Sequence, residues 1–516
     1  MRFAHFAVPS VLMIGAVASP VHAGQPFLLP NSLIISSTTY DRTRGAVAAL
    51  TIGTTLPDSD TATTAAVASN NYVEVWNNES ADASFGVTSP ILLSDVEPHS
   101  GHVFSALRVP ADQVVTSFSS KSELALHIAG AGPWSRLVFV AYGGAGVGAL
   151  DVSNSDAVPG QDPTNPVTFA FGDSFAFPRT VVAVDRDGRF SYTPTVNYGG
   201  NNGRSALLAP NGLYYTVGNA NNGNAATFGA SNGTHPDVTE TTGLEVVKPI
   251  DAPWARVPIP AGASAEVDPL LQFALGKSGA LDKPGKDDNY RGVTEFDGSL
   301  YFTKGSGSNG MDTVYTVSGL PTVAGAAAAV ISVVPGFPTD SARATGGDFT
   351  PFSVFFANAT TMYVTDEGTG SSTDVSAHAG LEKWSLVGGT WRLDYVLTKG
   401  LIGLVDGNLK GNDGPYPAVT TIGLRNMAGV VNDNGTVTIW AATSTSSASG
   451  DNGADPNRVV RITDRVSATV LSGEVSREMF TSIAGPTYGT AYRGVAYACG
   501  AVDPHTGVCR TGGFGF

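Results

Sequence analysis

Arginine recurs at the start of apolar segments that have the composition of β-strands. The sequence RGV occurs at 291–293 and again at 493–495, and Arg425 precedes the related segment NMAGVV. Guanidinium groups bind carboxylate and sulfate through paired hydrogen bonds. If these strand starts meet in the fold, Arg291, Arg425 and Arg493 form a site for an anionic ligand. The alternative interpretation is that each arginine forms an ion pair with a carboxylate of the neighbouring repeat.

A fourth candidate, Arg204, lies in the glycine- and asparagine-rich segment YGGNNGRS at 198–205. Backbone N–H groups in such a turn can form a nest that binds an anion, and Arg204 would add a positive charge. The helix that follows a phosphate-binding loop is missing from this pattern. The alternative is a polar loop without a ligand.

The segment 151–167 is rich in side chains that bind Ca²⁺. It contains Asp151, Asn154, Asp156 and Asp162 but lacks the spacing and the terminal glutamate of an EF-hand. The alternative is a polar turn in which these side chains bond the local backbone.

The elements that must position these residues are strands that recur along the chain. Similar phrases, each with an apolar strand, a glycine or asparagine turn and an aromatic strand, occur near 291–317, 349–386, 423–443 and 492–498. Recurrence of such a unit at intervals of tens of residues is typical of a β-propeller. We therefore predict an all-β fold with a single propeller at 24–516 and long polar loops. The length suggests seven blades, and six or eight are also compatible; a sandwich or two smaller β domains are the alternatives.

A propeller needs its two chain ends in one blade. The final phrase at 492–498 has the composition of a first strand, and the segment Leu33–Thr39 is followed by only part of a blade. Pairing between the ends removes the open edges of the ring. We expect the Leu33–Thr39 strand to share a blade with residues near the end of the chain.

One blade phrase resembles a known family. The segment MYVTDEG at 362–368, preceded by PFSV at 351–354, is similar to a blade of NHL-like and gluconolactonase-like propellers. This resemblance implies that Asp366, with Glu367, ligates a divalent metal such as calcium, and that the protein is a metal-assisted, lactonase-like hydrolase. The chain as a whole resembles uncharacterised exported bacterial β-propeller proteins, a resemblance that implies no particular activity.

The N-terminus and the cysteines both indicate export. Residues 1–23 have a weakly basic start, an apolar stretch and the sequence Val21-His22-Ala23, which together predict a signal peptide and a secreted or periplasmic protein. In that compartment Cys499 and Cys509 are expected to form a disulfide. A metal pair that includes His505 is the alternative.

Charge narrows the range of partners. The formal net charge is −15 at pH 7 and the sequence has no run of lysine and arginine, which disfavours nucleic acids. No apolar stretch has the length of a transmembrane helix. We expect a monomeric binding protein that presents its loops to a polar small molecule, a glycan or other polymer, or a protein. The metal-assisted hydrolase remains the alternative function.

Export and the disulfide can be tested together. The mass of the exported protein should match a chain that begins near Gly24, and it should increase on reduction because the cysteines are oxidised. Intact-mass spectrometry with and without reductant gives both answers. Two free thiols in the exported protein would contradict the predicted compartment.

Overall fold

The structure is a computed structural model of the 516-residue chain. It describes residues 27–51, 53, 55–57, 63–65, 86–155, 177–220, 242–255, 267–269, 288–306, 310–339, 348–373, 375–405, 409–411, 414–415, 417–448, 452–502 and 509–510. The predicted signal peptide and the residues Asp156 and Asp162 lie outside this part of the chain.

The described residues form a β-propeller with six blades around a central channel. The inner strands of consecutive blades contact one another in a closed ring, and residues from all six line the channel. The four-stranded units are antiparallel, so each inner strand runs along the axis and the next strand returns beside it. The predicted all-β propeller is confirmed.

The strands of each blade run from the channel outwards. Blade 1 contains Thr490–Ala498, Ser32–Thr39, Ile91–Val96 and Val103–Arg108; blade 2 contains His127–Ala129 with Val114–Ser117, then Arg136–Gly143, Arg179–Asp185 and Phe190–Thr195; blade 3 contains Gly203–Leu208, Tyr214–Gly218, Gly243–Val247 and Val267–Pro269; blade 4 contains Val293–Phe296, Ser299–Lys304, Thr313–Val317 and Ile331–Val333; blade 5 contains Pro351–Asn358, Thr361–Asp366, Gly380–Val387 and Thr390–Leu397; blade 6 contains Val419–Val431, Thr436–Ser447, Val459–Arg465 and Thr481–Ala484.

Shorter elements lie outside these rows. The remaining strands are Thr55–Pro57, Thr63–Ala65, Thr88–Ser89, Gly403–Leu404, Lys410–Gly411, Gly414–Pro415, Ala501–Val502 and Cys509–Arg510, and the 3₁₀ helices are Ala46–Ala49, Gly132–Trp134, Val152–Asn154, Val323–Ala328 and Val475–Arg477. Within the described residues, no helix is long and apolar enough to cross a membrane. Cys499 and Cys509 form the predicted disulfide, with their Cα atoms 5.7 Å apart.

The count of six blades differs from the seven that the length suggested. Blades 1, 2 and 3 each have a long connection between their second and third strands. These connections comprise residues 40–90, 144–178 and 219–242. Because consecutive strands are antiparallel, these connections all begin and end at the face where the inner strands start. Much of the chain length beyond the six blades therefore lies in these three connections, the first of which contains the strand pair Thr55–Pro57 and Thr63–Ala65.

The ring closes by pairing the two ends of the chain. Ser32–Thr39 runs antiparallel to Thr490–Ala498, from Ser32 opposite Ala498 to Thr39 opposite Thr490. The other edge of Ser32–Thr39 pairs with Ile91–Val96. The C-terminal strand therefore supplies the inner strand of blade 1, as the sequence predicted.

Large apolar side chains fill the spaces between blades. Phe296 of blade 4 stacks on Phe356 of blade 5 with ring centroids 4.3 Å apart, and Trp440 of blade 6 stacks on Tyr497 of blade 1 at 5.1 Å. All but Tyr497 are at least nine-tenths buried. Burial of aromatic rings between sheets is a large source of stability for such packing.

Near the starts of the inner strands, neighbouring blades touch through their backbones. A Cβ atom on Gly494 would lie 2.1 Å from the carbonyl oxygen of Leu124, and one on Gly292 would lie 2.6 Å from that of Phe352. The Ser36 hydroxyl donates to the Leu124 carbonyl at 3.0 Å and accepts from the Gly494 N–H at 2.8 Å. Blades 4 and 5 repeat this bridge, since Thr303 donates to the Phe352 carbonyl at 2.7 Å. The central position of each RGV phrase therefore needs glycine, because the backbone of the next blade leaves no room for a Cβ atom there.

Gly494→Ala should destabilise the protein by about 1–3 kcal/mol, the usual cost of forcing extra atoms into a packed site. Gly485→Ala is the matched control, because a Cβ atom there meets nothing within 4 Å. Chemical denaturation of both variants gives the two free energies of unfolding. Equal stability of the two variants would contradict the close contact between blades 1 and 2.

Candidate functional site

Four arginines from four blades occupy the starts of the inner strands. We call Arg204, Arg291, Arg425 and Arg493 the arginine ring; they belong to blades 3, 4, 6 and 1. Each of these residues is only 2–5% exposed. The sequence predicted these four as ligand-binding residues, and the structure brings them to the same end of the channel.

The same register position holds other residues in blades 2 and 5. The Leu124 carbonyl meets Gly494 as the Phe352 carbonyl meets Gly292. The residues that precede Leu124 and Phe352, namely Glu123 and Pro351, therefore stand where the other blades carry arginine. Equivalent positions in a propeller are related by rotation about its axis, so all six positions lie on one circle.

Arg204 and Arg291 meet at one hydroxyl group. Arg204 Nε and Arg291 Nη1 each donate to Ser122 Oγ at 3.0 Å, and Arg204 Nη1 also donates to the Tyr290 carbonyl at 2.8 Å. Burial lowers the pKa of both guanidinium groups, and repulsion from Arg291 lowers the pKa of Arg204 further. Neither arginine has a carboxylate within salt-bridge distance among the described residues, so their charges are only partly compensated.

Glu367 is a carboxylate that bonds a member of the arginine ring. Arg425 Nε donates to Glu367 Oε2 at 3.3 Å, and Lys121 Nζ lies 3.4 Å from the same oxygen. Burial alone would raise the pKa of Glu367, but the charges of Lys121, Arg291 and Arg425 outweigh it and hold the pKa at about 2. The side chain of Lys121 is 35% exposed, so the cluster reaches the surface at this residue.

Glu123 is bonded into the wall of the channel. It accepts hydrogen bonds from Thr116 Oγ1 at 2.6 Å, Tyr142 OH at 2.6 Å, Ser117 N at 3.0 Å and Asn202 Nδ2 at 2.9 Å. Burial raises the pKa of Glu123, and the hydrogen bonds from Thr116 and Tyr142 oppose that rise. These donors occupy both carboxylate oxygens, so Glu123 acts mainly as a fixed part of the wall.

Arg493 is held by backbone carbonyls. Its Nη2 donates to the carbonyl of Phe118 and, at 2.7 Å, to that of Gly453. Its own carbonyl accepts from Asn426 Nδ2 at 3.0 Å, which ties blade 6 to blade 1. Glu367 and Asp312 both attract Arg291 electrostatically, and Glu123 and Glu367 attract Arg204. Neither Arg204 nor Arg291 forms a salt bridge among the described residues, so these two guanidinium groups are the members of the cluster that could bond an anion.

Several of these residues were not predicted from the sequence. Lys121, Ser122 and Glu123 lie between two short strands, Val114–Ser117 and His127–Ala129, which together take the inner position of blade 2. No repeated phrase marks that interrupted strand. Asn202 was also missed, although it lies in the segment from which Arg204 was selected. Arg204 itself lies within a strand, so its role does not require the predicted nest.

The metal ligands predicted by resemblance, Asp366 and Glu367, have separate surroundings. The Asp366 carboxylate accepts hydrogen bonds from Thr350 N, from Thr350 Oγ1 at 2.6 Å and from Gly368 N at 2.8 Å. Burial and the nearby Glu382 carboxylate raise its pKa to about 7. Glu367 instead binds cations. In the part of the chain that the structure describes, no three His, Cys, Asp or Glu side chains are grouped to hold a metal.

The calcium candidate at 151–167 is described only in its first residues. Asn154 Nδ2 donates to Asp151 Oδ1 at 2.6 Å, and both residues are buried in a 3₁₀ turn. This hydrogen bond joins two of the candidate side chains to each other, and the calcium site remains a prediction because Asp156 and Asp162 lie outside the described residues.

Replacing Glu367 tests the charge balance of the cluster. Glu367→Gln should destabilise the protein by about 3–5 kcal/mol, because it leaves buried cations without their carboxylate. Glu474→Gln is the control: its partner Arg465 lies at 3.2 Å, but both side chains are exposed. Such a surface pair contributes about 0–1 kcal/mol.

The same variant has a predicted pH dependence. The pKa of Glu367 falls from 4.5 to about 2 on folding, so its contribution is complete above pH 4.5 and is lost as the pH falls toward 2. The difference between wild type and Glu367→Gln should shrink by about 1.4 kcal/mol per pH unit in this window. Urea titrations at several pH values measure it. A difference that does not change with pH would contradict the assigned ion pairs.

Comparisons with known proteins do not assign the chain to a family. No protein-family model and no curated protein matches the sequence. Similar solved structures include a protein of unknown function from Dyadobacter fermentans DSM 18053, with 10% identity over 69% of this chain and 80% of that chain and a TM-score of 0.30. The GH43_1 enzyme from Xanthomonas citri complexed with xylose has 11% identity over 73% of this chain and 93% of that chain, with a TM-score of 0.29. A xylan β-1,4-xylosidase from Bacillus halodurans C-125 has 8% identity over 78% of this chain and 90% of that chain, with a TM-score of 0.26. At these TM-scores the similarities carry no argument about the activity or ligand of this chain.

Proposed function

We propose that this propeller is an exported binding protein that holds an anionic ligand at the arginine ring. The observation that carries the proposal is the repetition of arginine at one register position in four of the six blades. Rotation about the axis directs these side chains toward a common region, where an anion would contact several of them. Carboxylate and sulfate fit, because both accept paired hydrogen bonds from guanidinium groups.

The surrounding charges support the choice of ligand. Arg204 and Arg291 share the neutral Ser122 hydroxyl, and the repulsion between the two guanidinium groups would be relieved by an anion. Glu367 forms ion pairs with Arg425 and Lys121 but does not bond Arg204 in the described contacts. An anionic ligand beside Arg204 and Arg291 would add to the partial compensation of their charges.

The long loops suggest a ligand larger than a single ion. The connections 40–90, 144–178 and 219–242 leave and re-enter the blades at the arginine face. Loops on a rigid scaffold are the usual place for recognition of a larger ligand. A glycan or other polymer that carries carboxylate or sulfate groups would contact the loops and the arginine ring together. The net charge of −15 disfavours nucleic acid as that polymer.

Metal-assisted hydrolysis has less support from the described residues. Asp366, the ligand that the resemblance implied, is fully buried and uses both oxygens in hydrogen bonds to blade 5. Metal analysis of the purified protein would revive the hydrolase if it found a stoichiometric divalent ion that Asp366→Ala removed.

Binding of charged and neutral oligosaccharides tests the proposal. Oligogalacturonate and dextran sulfate should bind, and neutral cello-oligosaccharides of similar length should not. Arg291→Gln should weaken the binding of the acidic probes at least about tenfold, equivalent to about 1.4 kcal/mol for lost charge-assisted hydrogen bonds. Isothermal titration calorimetry at two salt concentrations provides the constants.

Arg189→Gln is the matched control for Arg291→Gln. The Arg189 side chain is 80% exposed and lies on the turn between the outer strands of blade 2, at the opposite face. The Arg189→Gln substitution removes the same charge as Arg291→Gln without altering the arginine ring. The affinity for the acidic oligosaccharides should therefore stay within about twofold of wild type. Equal binding of neutral and acidic oligosaccharides, or equal losses in the two variants, would overturn the proposal.

A further inference from the structure

The other end of the channel contains a cavity that the arginine ring does not reach. It has a volume of about 560 Å³ and is lined by residues from all six inner strands. Each inner strand contributes residues that follow the arginine position, so the cavity lies farther along the axis. Its volume is within the range of about 300–1,000 Å³ that is typical of small-molecule sites.

The walls of this cavity are largely apolar. Ile128, Phe355, Met427, Ala428 and Tyr497 contribute aliphatic and aromatic surface from blades 1, 2, 5 and 6. The Tyr497 ring is fixed because it stacks on Trp440 with an interplanar angle of 11°. A ligand with an apolar body would therefore meet a largely pre-formed surface, and aromatic faces attract cations as well as apolar groups.

Three lining residues have side chains that can carry charge. Arg136 is paired with Asp251 at 3.0 Å, and it also donates to Ser191 at 2.9 Å. His127 Nε2 lies 2.9 Å from Ser205 Oγ, and burial lowers the pKa of His127 to about 4, so it is neutral at pH 7.

Glu295 is the third lining residue that can carry charge, and it has no cationic partner among the described residues. Its Oε1 accepts from the Gly298 backbone N–H at 2.8 Å, and no cation lies within salt-bridge distance of it among the described residues. Burial raises the pKa of Glu295, and Asp297 raises it further. A cation beside the carboxylate would relieve both effects.

We propose that this cavity binds a small organic cation, an ammonium group attached to an apolar body. The ammonium group would lie beside Glu295, and the body would pack against Phe355, Met427 and Tyr497. An anion would meet the uncompensated carboxylate of Glu295, and a neutral apolar ligand would bury that carboxylate without a partner. The net charge of the cavity thus selects a ligand of opposite sign to the one proposed for the arginine ring.

Two probes of similar shape test the charge requirement. Phenethylammonium and the neutral 2-phenylethanol have the same aromatic body, and calorimetric titration should show that wild-type protein prefers the ammonium compound. Glu295→Gln should weaken phenethylammonium binding at least about tenfold, equivalent to about 1.4 kcal/mol. It should not weaken 2-phenylethanol binding, because it removes the carboxylate that a neutral ligand would bury without a partner. Thermal unfolding of the variant shows whether it is folded.

Asp297→Asn is the matched control for Glu295→Gln. Asp297 is exposed, lies on the turn that follows the strand, and does not line the cavity. Its φ of 49° is in the left-handed region, which asparagine tolerates well. This variant removes the same charge, so it should leave the affinity for phenethylammonium unchanged if contact with Glu295 is required.

A variant that fills the cavity tests its location. Ala428→Phe should abolish the binding of phenethylammonium, whereas Arg291→Gln at the opposite end should leave it unchanged. The proposal is overturned if wild type binds neither probe, if it does not prefer the ammonium compound, or if Glu295→Gln and Asp297→Asn have equal effects. Binding that survives Ala428→Phe would also overturn it.

Discussion

The antiparallel pairing of Ser32–Thr39 with Thr490–Ala498 is the contact on which the ring depends. It joins strands from opposite ends of the chain, so the backbone groups on their facing edges are hydrogen-bonded to each other. It also places Arg493, from the last strand, on the same circle as Arg204 and Arg291. Because Ser36 binds both Gly494 and the Leu124 carbonyl, this pairing fixes the distance from blade 1 to blade 2 as well. The arginine ring therefore exists only in the closed propeller.

The arginine ring lies where neighbouring blades are in close backbone contact. The glycine after Arg493 allows blade 2 to approach, and Arg493 bonds the Phe118 carbonyl of that blade. The glycine after Arg291 allows blade 5 to approach, but Arg291 itself bonds the Ser122 hydroxyl of blade 2. Neutral acceptors stabilise a guanidinium group but do not cancel its charge. Arg204 and Arg291 are thus buried close together without a salt bridge to either among the described residues, and the repulsion between them would favour a bound anion.

The sequence predicted the features that depend on short-range residue patterns. Strand alternation, turn residues and the RGV-like phrases predicted the propeller, its closure and the positions of Arg291, Arg425 and Arg493. Arg204 was selected for a different reason, a predicted glycine-rich nest, and lies in a strand. Blade 2 was harder, because Phe118–Leu126 interrupts its inner position, and no repeated phrase identified Lys121, Ser122 and Glu123. The blade number was missed because long connections and additional strands look alike in composition.

Adjacent residues can also differ in ways that the sequence does not reveal. Asp366 ends its strand and bonds within blade 5, whereas Glu367 begins the following loop and bonds Arg425 across to blade 6. Which of the two carboxylates faces the cations depends on the packing of the blades. A blade phrase shared with other propellers cannot supply that information.

The inner strand of blade 4 places one charged residue near each end of the channel. Arg291 precedes this strand at one end of the channel, and Glu295 lies in the cavity at the other. Both lose solvation, and neither compensates the other, because four residues of extended chain separate them by about 13 Å. Well-packed apolar side chains at such positions often give equal or greater stability. The charge of Arg291 is only partly compensated, by Glu367 and Asp312, and no cation pairs with Glu295 among the described residues. The two ends of this strand are therefore suited to hold ligands of opposite charge.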